Sequence, residues 1–139
     1  MRSCDGCTLC CKVIGVQELA KPKGAWCRHC SADAGCTIYD ARPNACRAYS
    51  CRFLLDETLD ESWRPSRSGM VINADRSRVV VHVDPDRPGA WLREPFYSRL
   101  RHWSRTSPSG WPVFVCIEER VVAVRAGGHA EMEARLPAS

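Results

Sequence analysis

No stretch of this 139-residue sequence approaches the about 18 consecutive apolar residues that cross a bilayer, and none has the positive start, apolar middle and small-residue cleavage site of a secretory leader. The expected setting is soluble and cytoplasmic, with no membrane partner. Lysine is also scarce. Of 20 basic residues only Lys12, Lys21 and Lys23 are lysine and the other 17 are arginine, a bias that genome composition explains more simply than a phosphate-binding surface. The formal charge of +4 shrinks if cysteines are ionised, because four thiolates around one zinc ion carry about −2. A nucleic-acid partner is therefore not expected. Equally missing are a glycine-rich phosphate loop, a nucleophile elbow and a helical His-Glu pair of the metalloprotease kind. No enzyme class is assigned on these grounds.

What is abundant is cysteine, and almost all of it lies at one end. Nine of the ten cysteines fall within the first 51 residues, opening with Cys4-Asp5-Gly6-Cys7-Thr8-Leu9-Cys10-Cys11. In a reducing compartment such density points to metal or redox chemistry rather than to a disulfide framework. Turn formers Gly6, Gly15, Pro22, Gly24, Gly35 and Pro43 are interleaved with the cysteines. A segment this poor in large apolar side chains cannot build its own core, so a bound metal is expected to supply the missing folding energy.

The length suits one compact unit with unequal parts. These are a cysteine-rich metal-binding segment at 1–53, a connector at 54–68, a small α+β layer at 69–126 and a tail at 127–139. Within the first part, Val13 to Val16 suits a short strand and Ala41 to Phe53 a short helix with Pro43 in its first turn. In the third, Met70 to Asn73 and Arg78 to Asp84 are β-branched runs flanking a hairpin turn. Pro95 starts a helix through Arg105 in which Phe96, Leu100 and Trp103 share one face and Arg99, Arg101 and Arg105 the other. Trp111 to Ile117 and Arg120 to Val124 complete the pattern. The fold class is α+β: a metal-organised N-terminal segment packed on a small antiparallel sheet with one main helix, in ββαββ order.

Two groupings of the thiols are open. Cys4, Cys7, Cys27 and Cys30 fit C-x2-C-x19-C-x2-C, the double knuckle of a four-cysteine zinc site. Alternatively Cys4, Cys7 and Cys10, with a distant cysteine such as Cys46, form a triple that wraps an iron–sulfur cluster, where each thiolate binds a different iron. Zinc needs one point and a cluster needs a cup. Nine thiols are enough for two sites. His29, inside the second C-x2-C, is a further possible ligand, although neighbouring cysteines are better spaced. Cys30 is the foremost candidate for a spectator thiol, and Cys116, between Val115 and Ile117, reads as an apolar packing residue. His82 reads as a surface residue on its strand.

The opening run, followed by Cys27 and by Cys36-Thr37-Ile38-Tyr39-Asp40-Ala41-Arg42-Pro43-Asn44-Ala45-Cys46-Arg47-Ala48-Tyr49-Ser50-Cys51, resembles the CxxCxxCC, or YkgJ-like, family of zinc- or iron-chelating proteins. The resemblance covers about the first 52 residues. It implies chelation by Cys4, Cys7, Cys10, Cys11, Cys27, Cys36, Cys46 and Cys51, and Cys30 falls outside that pattern. A similar motif accompanies flagellin lysine methylases, where it looks like an iron–sulfur site, but this chain lacks the length of those enzymes. Around the motif, Trp26 and Tyr39 are expected to shield the site from water, and Arg42 and Arg47 to offset thiolate charge.

The resulting expectation is a cytoplasmic metal-binding protein holding an iron–sulfur cluster, favoured, or zinc, for electron transfer or metal handling. The alternatives are a cluster-dependent enzyme of redox or group-transfer type, and a zinc-supported module binding protein or nucleic acid through Arg99, Arg101 and Arg105.

Overall fold

The computed structural model describes residues 9–13, 19, 26–31, 35–36, 51–74 and 78–132. A helical turn, α1 (Cys10–Val13), precedes a two-residue hairpin of β1 (Cys30–Ser31) and β2 (Gly35–Cys36). The larger part consists of α2 (Arg52–Leu55), α3 (Pro65–Ser68), β3 (Met70–Ala74), β4 (Val79–Val83), α4 (Phe96–Arg105), β5 (Val113–Ile117), β6 (Arg120–Arg125) and β7 (Gly128–Met132). Strands β3 to β7 lie side by side in chain order, giving an α+β architecture. Among the described residues no helix is long and apolar enough to cross a membrane.

The sheet is mixed, which corrects the antiparallel expectation. Val79 lies opposite Val113 and His82 opposite Cys116 in a parallel β4–β5 pair, while the other neighbouring strands are antiparallel. The cause is α4. A helix inserted between two adjacent strands carries the chain back to the end where the first strand began, so the next strand must run the same way. The ββαββ pattern also gains a fifth strand, because Gly128–Met132 pairs with β6 inside the stretch read as a tail.

One face of the sheet packs on α4. Met70, Ile72, Val81, Val83, Val113, Val115, Ile117, Val122 and Val124 meet Phe96 and Leu100, with Trp103 half-buried one turn on. The i, i+4, i+7 face expected for this helix is therefore the one it buries. Trp63 stands edge-on to Phe96, ring centroids 4.7 Å apart, and lies 5.4 Å from Trp103. Together with Leu59 it anchors in the core a stretch read as a polar connector at 54–68, whose charged residues Glu57, Asp60, Glu61 and Arg67 stay exposed.

The other face is also covered. Val80, Phe114, Cys116 and Val121 cluster with Trp111 and Met132, and at the β3 edge Val71 is buried by Leu9 and Val13. Strand β5 is consequently buried along its whole length, as its unbroken apolar run requires. His82, read as a surface residue, is half-buried on this face beside Val71.

Of the expected strand over 13–16 only Val13 is described, and it is helical, ending α1; the others lie outside the described residues. Of the expected helix over 41–53 only the end is described. There Cys51 is extended, with φ −75° and ψ 115°, and bridges to Asn73 of β3, and α2 starts at the next residue, Arg52.

Candidate metal centre

The chain from Trp26 to Ser31 makes a tight turn around Cys27. The Cys30 backbone N–H donates to the Cys27 carbonyl at 3.0 Å. One residue earlier the His29 N–H donates to Cys27 Sγ at 3.4 Å. Both Cys27 and Cys30 are half-buried thiols. Immediately after the turn the hairpin sets Cys30 directly opposite Cys36.

Cys10 and Cys11 open α1, whose backbone is closed by the Lys12 and Val13 N–H groups donating to the Leu9 carbonyl at 2.9 and 3.1 Å. Leu9 and Val13, four residues apart, bury the same side of this turn on Val71. Such burial is worth about 1.5–3 kcal/mol for each side chain. Cys51 packs against this small cluster and against the main core at once. The two-cysteine turn is thus seated on the sheet by the apolar residues that flank it.

Lys12 supplies a polar anchor at the same place. It is only 5% exposed. Its ammonium donates to Asp84 Oδ1 at 2.7 Å and to Asp86 Oδ2 at 2.5 Å, and it lies 5.5 Å from the ring centre of Trp26. Burial works against its charge, but the hydrogen bonds and charges of Asp84 and Asp86 outweigh it and raise the pKa above the ordinary lysine value. Asp84 mirrors this. Burial favours its neutral form, yet Lys12, the Asp86 backbone N–H and Arg87 hold its pKa below the ordinary carboxylate value. One side chain therefore ties three segments together: the Cys10–Cys11 turn, the residue before Cys27, and the loop leaving β4. Sequence reading assigned no role to Lys12, Asp84 or Asp86. The available signal was a lysine directly after the paired cysteines in a lysine-poor chain.

Other expected contributors are placed differently. Trp26 is 55% exposed, so it partners Lys12 at the surface instead of sealing a site from water. The His29 ring accepts from Arg28 Nε through Nε2 at 3.3 Å. Cys116 is buried among Val80, Phe114 and Val121, as an apolar packing residue should be. In the arginine face, Arg101 donates to the Ala126 carbonyl at 2.9 and 2.7 Å, and Arg105 contacts His102 Nδ1 at 3.1 Å. Arg101 thereby braces the β6–β7 turn. His129 contacts the Tyr97 hydroxyl at 2.8 Å and stands edge-on to Trp91.

Of the expected ligands, Cys27 and Cys51 have described side chains, Cys10, Cys11 and Cys36 are located by their backbone, and Cys4, Cys7 and Cys46 lie outside the described residues. Tyr39, Arg42 and Arg47 lie outside them as well. Among the described residues no group of three or more Cys, His, Asp or Glu converges on one point. What the described donors offer is soft sulfur, the ligand type that zinc and iron–sulfur centres take. No protein family matches the chain, and neither a curated protein nor a solved structure matches it.

Proposed function

We propose that this chain is a cytoplasmic metal-binding protein whose N-terminal thiolates hold zinc or an iron–sulfur cluster, in one or two centres. The resemblance to the CxxCxxCC family names Cys4, Cys7, Cys10, Cys11, Cys27, Cys36, Cys46 and Cys51 as the ligands. The observation that carries the reading is the Cys27–Cys30 turn, where a backbone N–H points at sulfur within a segment otherwise too poor in apolar residues to fold alone. The seating of the Cys10–Cys11 turn through Leu9, Val13 and Lys12 supports it, because paired cysteines that bind metal must sit on a fixed base. A bound zinc would supply structural cross-linking, and a bound cluster would add one-electron chemistry. Electron transfer or metal handling is the role that follows.

Metal analysis and a visible spectrum of anaerobically purified protein test this. A brown sample with broad absorption near about 400 nm identifies iron–sulfur, and a colourless sample with stoichiometric zinc identifies zinc. Protein that carries neither metal, and takes up neither when reconstituted, contradicts the proposal. Cys10→Ser should lower the metal content while Cys116→Ser leaves it unchanged; equal loss in both would show that the ligands are misassigned.

A further inference from the structure

We infer that the β7 edge of the sheet pairs with the β7 edge of a second copy of this chain, strand to antiparallel strand about a two-fold axis at Ala130. The inference is independent of the metal. Two tight hairpins fix which backbone groups face outward. Opposed residues of antiparallel strands alternate between hydrogen-bonded and non-hydrogen-bonded pairs, and the pair that closes a two-residue loop is a bonded one. Ile117 with Arg120, and Arg125 with Gly128, close such loops. Counting back from them, Val122 and Val124 bond to β5, whereas Val121, Ala123 and Arg125 bond to β7 through Met132, Ala130 and Gly128. The N–H and C=O groups of His129 and Glu131 therefore point away from the sheet, and among the described residues no backbone bond reaches them. The opposite edge is occupied, since Cys51 bridges to Asn73 of β3. An open edge is a template for another strand.

The residues on this edge complement themselves. His129, Ala130 and Glu131 are all exposed. With the axis at Ala130, His129 of each copy lies opposite Glu131 of the other, and each such pair exchanges both backbone bonds. Moving the axis to His129 or to Glu131 would set that residue against its own copy, and two carboxylates directly opposite are destabilising. Side-chain atoms remain for the mixed pair: Tyr97 engages His129 through Nδ1, leaving Nε2, and Arg120 engages Glu131 through Oε1, leaving Oε2. The main helices do not collide. Helix α4 packs over β5 and β6, and three strand spacings put one β6 about 14 Å from the other, beyond the about 8–10 Å at which helices pack.

The test is the association state of the full-length chain as purified, under reducing conditions, followed by sedimentation equilibrium from about 1 µM to about 1 mM, the range in which a small interface assembles. The parent should pass reversibly from one chain to two. Glu131→Pro should stay a single chain throughout, because proline removes an N–H that faces outward and is tolerated on an edge strand. Circular dichroism equal to the parent's shows that this variant keeps its fold. Where it does not fold, charge exchange serves instead: His129→Glu sets carboxylate against carboxylate twice in the dimer and should weaken it about tenfold, and adding Glu131→Lys should restore it. In the parent, the amides of His129 and Glu131 should also exchange more slowly as concentration rises, while that of Ala130, already bonded to β6, stays unchanged. A parent that remains a single chain at the highest concentration, or a folded Glu131→Pro variant that pairs as the parent does, overturns the proposal. Protection of the His129 and Glu131 amides that does not depend on concentration assigns the edge to a segment of the same chain and overturns it as well.

Discussion

Lys12 is the residue whose importance exceeds its visibility. Lysine is almost never buried unless paired, and here the pairing with Asp84 joins a two-cysteine turn to the end of a core strand. Removing one member of a buried pair strands the other, at a cost of about 3–5 kcal/mol. Lys12→Met should therefore lower the unfolding free energy from urea titration by that order, most of it through Asp84; Asp86, whose side chain is largely in water, adds little. The pH dependence follows from the two shifts. With its pKa raised, Lys12 stabilises the fold below the ordinary lysine value and loses that contribution as the pH climbs through its raised one. With its pKa lowered, Asp84 contributes above the ordinary carboxylate value and loses it as the pH falls through its depressed one. Unfolding curves across pH should show the parent and Lys12→Met furthest apart near neutrality and converging in strong acid. Cys116 was legible in advance because a cysteine between two β-branched residues on a strand has an obvious apolar environment. Cys116→Ser should cost about 1–3 kcal/mol for burying a hydroxyl.

At the scale of elements, the strands and the main helix could be read because their patterns are periodic. The helix expected from Pro95 to Arg105 runs Phe96–Arg105, and the four β-branched runs all became strands. Leu100, fully buried at the centre of that helix face, should cost about 2–5 kcal/mol as Leu100→Ala by thermal or urea unfolding. The elements that were missed lack a local signal. Gly128-His129-Ala130-Glu131-Met132 has no β-branched residue, and it forms a strand only because β6 offers a row of backbone partners. Leu59 and Trp63 are two apolar residues in a charged stretch, and their burial depends on a helix more than thirty residues later. The end of α3 shows a different constraint. Gly69 has φ +77°, and a Cβ there would lie 3.0 Å from the Arg87 guanidinium and 3.2 Å from Ala90 Cβ. Gly69→Ala should destabilise by about 1–2 kcal/mol from the left-handed backbone alone, measurable as a shift of the urea midpoint.

Considered whole, the molecule divides by what holds it together. The sheet, α4 and the buried Trp63 segment form an apolar core of ordinary composition. The cysteine-bearing turns contribute few large side chains and attach through Leu9, Val13, Lys12 and the Cys51–Asn73 bridge. This division was legible in the uneven distribution of cysteine. The attachment was not, because it depends on a lysine and an aspartate 72 positions apart in sequence. The central claim is that metal organises the first part upon a sheet that folds without it. Backbone hydrogen exchange of the metal-loaded chain, repeated after chelation under reducing conditions, tests this most directly. The account predicts that chelation strips protection from the amides of Lys12, Val13 and Cys30 while β3 to β6 exchange as before. Identical exchange in both samples, at the N-terminal turns as well as in the sheet, would contradict it.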